Sequence, residues 1–143
     1  MKSKLLNPGP EKTYALIFDE GDEVSSGLLE FAKEQKLGAC QITGIGGFAE
    51  AVLGYFDLEK KDYKKIPVSK QVEVLSLSGD IALENGEPKV HAHVIVGTSD
   101  GAALGGHLIK GIVRPTLELL VKESPEHLRR VFDQSAGLAL IQL

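Results

Sequence analysis

Past residue 39 the chain offers one short strand signal after another, and before it a single amphipathic stretch. That imbalance restricts the fold more than any other feature. Thr13 to Asp19 alternates bulky and smaller apolar residues and reads as a strand. A helix then starts after Gly21-Asp22, where Val24, Leu28, Phe31 and Ala32 recur at helical spacing and Glu23, Glu30, Lys33 and Glu34 fall largely on the other side. Gly38 is its expected stop, because glycine adopts positive φ without steric cost.

Ala39 to Thr43 reads as a short strand broken by Gly44-Ile45-Gly46-Gly47. Phe48 to Asp57 and Lys61 to Ile66 read as two strands around a charged turn, and Val72 to Leu83 as a third. Asn85-Gly86 is a strong hairpin signal, since both residues tolerate the positive φ of a type I′ turn. Val90 to Gly97 and Ala102 to Ile109 follow as partners. Ile112 to Lys122 is strand-compatible, with Pro115 marking an edge, a bulge or a bend. Ser124-Pro125-Glu126 reads as a short helical turn, and Gly137 to Leu143 as a closing strand. The expectation is an α+β fold: a single compact domain, mostly antiparallel β-sheet with one main N-terminal helix. Residues 1–10, with Pro8-Gly9-Pro10 and several lysines, read as a flexible lead-in to a domain over 11–143.

Composition narrows the function classes. With 43% hydrophobic and 25% charged residues, the chain has the balance of a folded protein rather than a disordered one. No apolar run approaches the roughly 18 residues of a membrane helix, and the start carries no signal-peptide pattern. Cys40 is the sole cysteine, in a small apolar context that suits a packed thiol better than a nucleophile. These features point to a cytoplasmic protein. The formal charge of −4 speaks against a domain that coats nucleic acid unaided, because phosphate binding relies on clustered lysine and arginine. Lys60-Lys61, Lys64-Lys65 and Arg129-Arg130 are small basic patches of the kind that ends loops and strands, and no Arg-Gly-Arg-Pro hook occurs. Gly44-x-Gly46-Gly47 lacks the third glycine spacing and the following helix of a dinucleotide loop. A tight bend or a close backbone contact suits it better.

The stretch HAHVIVGTSDGAALGGHL, residues 91–108, holds three of the four histidines. In a strand, His91 and His93 project from one face, with Cβ atoms roughly 6.5–7 Å apart. A three-residue loop at Ser99-Asp100-Gly101 pairs Thr98 with Ala102, sets His93 opposite His107 and His91 opposite Ile109, and gathers all three imidazoles on one face. A two-residue loop turns His107 away. Three neutral imidazoles with an open position suit zinc or a similar divalent ion. The alternative is a polar patch on the wet face of a sheet. His127, in Pro-Glu-His-Leu, reads as an exposed turn residue.

Gly44-Ile45-Gly46-Gly47-Phe48, Leu75-Ser76-Leu77-Ser78-Gly79 and His91-Ala92-His93-Val94 together resemble the plant-and-prokaryote conserved (PPC) domain family. The resemblance continues through Asp100-Gly101, Gly105-Gly106-His107-Leu108 and Thr116-Leu117-Glu118, over nearly the whole chain after residue 10. It implies one compact domain around an antiparallel sheet, assembled as a homotrimer. Plant members carry AT-hooks and bind AT-rich DNA, and many stand-alone prokaryotic members are labelled DNA-binding by that analogy. This chain is of the stand-alone kind and also lacks the plant Arg-Glu-Phe-x-x-x-His partner-binding stretch, so DNA binding is expected to be weak. The fold is similar to that of acetolactate decarboxylase, a zinc enzyme whose H-x-H pair and later histidine match His91, His93 and His107. Glu118 is the candidate acid/base if the protein is an enzyme. Three functions follow as alternatives: a metal-dependent small-molecule binder or enzyme, a DNA-associated regulator, and a trimeric protein-interaction module.

Overall fold

The computed structural model describes every residue except Pro8 and Pro125. Its strands are β1 (Lys2–Asn7), β2 (Thr13–Asp19), β3 (Ala39–Asp57), β4 (Asp62–Val68), β5 (Val72–Glu84), β6 (Glu87–Gly97), β7 (Ala103–Glu123), β8 (Arg129–Asp133) and β9 (Leu138–Gln142), with one helix, α1 (Val24–Glu34). The α+β fold with a single N-terminal helix is therefore the observed one. Every ladder is antiparallel except a short parallel pairing of β5 with β8.

Four ladders form a ring: β3 pairs with β5, β5 with β6, β6 with β7, and β7 again with β3. This closure leaves fewer open edges, and β1–β2 extend it from β7 while β4 pairs with the far half of β3. The helix buries Val24, Leu28, Phe31 and Ala32 in a core shared with Leu16, Phe18, Ile42 and Phe48.

Several local expectations give way to packing. The helix does not end on Gly38. Lys36 takes the left-handed conformation at φ 55, and Leu37 N–H returns to Ala32 O at 2.9 Å while Lys36 N–H bonds Lys33 O. Leu37 is fully buried, so the apolar contact that accompanies this kind of C-cap outweighs the steric cost at Lys36. At the other end, the Glu23 carboxylate accepts from Ser25 and Ser26 N–H at 3.0 and 2.7 Å. It also accepts from Gly111 N–H at 3.2 Å, tying the helix start to β7.

The glycine run at 44–47 does not break a strand. β3 runs straight through it, bulged between Gly44 and Gly46. A Cβ on Gly44, Gly46 or Gly47 would stand 2.3–2.4 Å from the carbonyl oxygen of Glu118, Thr116 or Arg114, so the glycines allow β7 to approach closely. The two segments expected at 102–109 and 112–122 likewise merge into β7, with a register shift opposite the cis Arg114–Pro115 bond. Lys2 to Asn7, inside the expected lead-in, pair with β2, and the sequence reading did not separate β8 from its surroundings. The helical turn expected at 124–126 includes Pro125 and lies outside the described residues. Cys40 is buried, and desolvation together with the Glu123 charge raises its thiol to about 12, in keeping with a packed and unreactive group.

Candidate metal centre

The three histidines meet because two turns set the register. Asn85 and Gly86 both have positive φ, at 53° and 84°, and close β5 on β6 with Glu84 opposite Glu87. Counting back from that turn places Asp80 opposite His91 and Ser78 opposite His93. Gly101, at φ 81, closes β6 on β7, with Thr98 N–H bonded to Ala102 O at 2.9 Å. Thr98 Oγ1 and Ala102 N–H both bond the Asp100 carboxylate, which fixes this loop. His93 then stands opposite His107, as the three-residue reading requires.

Alternation does the rest. Ala92, Val94 and Val96 point into the core, so His91 and His93 point away from it. His93 is exposed, whereas His91 and His107 are half-buried. Tyr63 of β4 stacks on His107, with centroids 4.7 Å apart and rings at 28°. His91 Nε2 and His93 Nε2 are 3.2 Å apart, and one ring nitrogen from each of the three residues lies within 4.8 Å of the others. Two nitrogens on one tetrahedral zinc are separated by about 3.3 Å, given Zn–N bonds of about 2.0–2.1 Å.

The electrostatics favour neutral rings at His93 and His107. Burial and then the neighbouring His91, His93 and Lys89 push His107 down to about 4. Burial and His91 also lower His93. Neutral imidazoles keep the lone pairs that a cation needs. His107 Nδ1 is buried and has no hydrogen-bond partner among the described residues. The donor set thus fits a divalent ion that accepts nitrogen ligands.

Two further residues belong to the site that the sequence reading did not assign. Asp80 Oδ2 lies 3.7 Å from His91 Nδ1. Burial pushes Asp80 upward, but hydrogen bonds from His91 and Arg130 outweigh it and hold the carboxyl below its ordinary value. Arg130 Nη2 donates to both Asp80 oxygens at 2.7 and 2.9 Å and approaches His91 Nδ1 at 3.2 Å. Its side chain is only 7% exposed, so Arg130 is no solvated strand-end charge, as its Arg-Arg context implied. A metal on His91 Nε2 requires the proton on Nδ1, which then donates toward Asp80 and no longer accepts from Arg130, so the 3.2 Å approach of the guanidinium has to loosen. A carboxylate in this position fixes the ring and raises ligand basicity.

The other candidates stand elsewhere. Glu118 is exposed on β7, opposite Ile17 and Ile45, and lines a hollow with Glu73 and Leu75. It is not among the residues whose ligand atoms meet at the histidines or that line the cavity beside them, and ten residues of strand separate it from His107. His127 is exposed beside Gly38, where a Cβ would meet its Nδ1 at 2.3 Å. It is outside the cluster.

Comparison with known proteins agrees with this architecture. The model of the Plants and Prokaryotes Conserved (PCC) domain matches residues 6–125. A plant- and prokaryote-conserved protein from Pyrococcus horikoshii is 36% identical with a TM-score of 0.86, covering 99% of this chain and 95% of that one. A metal-containing protein from Archaeoglobus fulgidus is 34% identical with a TM-score of 0.85, covering 99% and 97%. A candidate DNA-binding protein from Bacteroides thetaiotaomicron is 28% identical with a TM-score of 0.88, covering 98% and 96%. The bifunctional protein GlmU of Synechococcus sp. (strain JA-3-3Ab) is 30% identical over 124 residues, which are 85% of this chain and 19% of that protein. With the family pattern matched across most of its length, the chain belongs to the Plants and Prokaryotes Conserved domain family.

Proposed function

We propose that the protein binds a divalent metal, zinc foremost, through His91, His93 and His107, and uses it to hold or activate a small molecule. The observation that carries this reading is the 3.2 Å approach of two Nε2 atoms beside a third, neutral imidazole whose Nδ1 is buried without a partner among the described residues. The metal-containing relative from Archaeoglobus fulgidus supports it. Bound with a position open, such an ion supplies Lewis acidity to a ligand oxygen or lowers the pKa of a bound water. The chain's own part is to hold three neutral rings on two strands, orient His91 through Asp80, and offer an adjoining cavity of about 350 Å³. Elemental analysis of protein purified without metal-affinity resin tests the reading. About one equivalent of metal per chain is the expected result, and metal-free protein that gains none on incubation and dialysis refutes it.

The reading includes a homotrimer. Leu75 and Ile95 are exposed apolar side chains on the neighbouring strands β5 and β6, as an uncovered interface has them. A DNA-associated role is the second reading, supported by the description of the Bacteroides thetaiotaomicron relative and opposed by the charge of −4.

A further inference from the structure

Beside the histidines lies a cavity of about 350 Å³, at the small end of the roughly 300–1,000 Å³ typical of ligand sites. One part of its wall is polar, built from His91, His107 and Arg130, and another is carbon, from Val90, Phe132 and Leu140. We infer that this cavity takes a small carboxylate with an apolar body, its anionic end set between the metal and Arg130; the inference rests on the metal reading above.

Charge is the first argument. Three neutral imidazoles leave a divalent ion's charge uncompensated, and the nearby carboxylates are already engaged. Asp80 is paired with Arg130 at 2.7 Å, and Glu84 with Lys89 at 3.5 Å. The charge that remains unbalanced is the metal's own, so an anion completes the site better than a neutral ligand.

Arg130 is the second. Its side chain is more than nine-tenths buried, and its Nη groups are occupied by Asp80 and by Ala139 O, the latter at 3.1 Å. Its Nε–H is buried with no partner among the described residues. A buried donor left unmatched in a cavity wall is a position that a ligand oxygen satisfies. A donor on a charged guanidinium favours an anionic oxygen over a neutral one. The carbon wall then sets the remainder of the ligand as apolar.

The test is calorimetric titration of benzoate, with benzamide as its uncharged counterpart, into zinc-loaded and chelator-stripped protein. Zinc content is measured on every sample. Benzoate should bind the zinc-loaded protein at least about tenfold more tightly than benzamide, a difference of about 1.4 kcal/mol. The preference should largely vanish in the stripped protein. Arg130→Lys should retain zinc and lose most of the preference, because the charge opposite Asp80 stays while the Nε–H donor does not. The double variant Asp80→Asn/Arg130→Gln removes both charges together and should likewise lose the preference, with circular dichroism confirming its fold. Wild type that holds zinc yet binds both probes equally, or neither, overturns the inference and leaves the metal site standing. A preference undiminished in folded, zinc-loaded forms of both variants overturns the role of Arg130. Wild type that holds no zinc refutes the metal reading itself, a result read from metal content alone.

Discussion

His93 and His107 face one another across a ladder, and each side chain is useful there only while uncharged. His93→Ala should remove a ligand nitrogen from the centre of the cluster and lose most of the metal, whereas His127→Ala should lose none. Metal content after dialysis distinguishes the two. Asp80→Asn should weaken metal affinity by roughly 10–100-fold without removing a ligand, the usual effect of losing a carboxylate that orients a histidine. The same residues set a pH response. His107 has a folded value of about 4 against about 6.5 unfolded, so between these pH values the unfolded chain binds more protons than the native one. Metal-free protein should therefore hold this contribution in full above pH ~6.5 and lose it as pH falls toward 4. A urea midpoint that drops from pH 7.5 to pH 5 in wild type, and drops less in His107→Gln, checks the sign. Protons and metal compete for one lone pair, so metal occupancy should fall over the same range.

At the scale of elements, the two hairpins decide what the site contains. The β6–β7 register was legible because Asp100-Gly101 specifies its loop and the histidines give a reason to count from it. Asp80 was equally legible: the same counting from Asn85-Gly86 places it opposite His91. What was missing was a reason to look for a carboxylate there. Arg130 was not legible, since β8 reaches β5 through a parallel pairing of only Leu83 with Arg129 and Glu84 with Arg130, a distant contact that no local pattern specifies. The glycines at 44–47 carried a close-approach signal, but not the identity of the strand approached. The strand spacing at the histidines rests on another such glycine. A Cβ on Gly106 would lie 2.7 Å from Gly54 O, whereas one on Gly105 would meet Val94 O at an ordinary 3.4 Å. Gly106→Ala should therefore push β3 from β7 beside His107, costing ~1–3 kcal/mol and a share of the metal. Gly105→Ala should change either by much less. Thermal midpoints and metal content, measured on the two variants together, separate a close-packing effect from a general intolerance of side chains.

The whole molecule poses a question of coverage. Its ring of ladders buries one core, and no described helix is long and apolar enough to cross a membrane. Yet Ile95 is 48% exposed on β6, with Leu75 exposed on the neighbouring β5. The alternation that turns Val94 and Val96 inward turns Ile95 outward, so a polar residue there would cost the core nothing. A net charge of −4 makes nucleic acid an unsuitable cover for such a surface. DNA binding should accordingly be weak, indifferent to sequence, and lost between low and physiological salt in a titration with labelled duplex. Further copies of the chain suit the surface better, because apolar strands facing each other bury what water otherwise contacts. Light scattering at micromolar concentration should give three times the chain mass. Ile95→Glu should reduce it to one chain, since burying an unpaired carboxylate in each interface outweighs the apolar gain that remains. The substitution sits two residues from His93 on an outward face, so the monomer should keep its circular dichroism spectrum. A wild type that scatters as a single chain would refute the assembly, and an Ile95→Glu protein that remains trimeric would move the interface to another face.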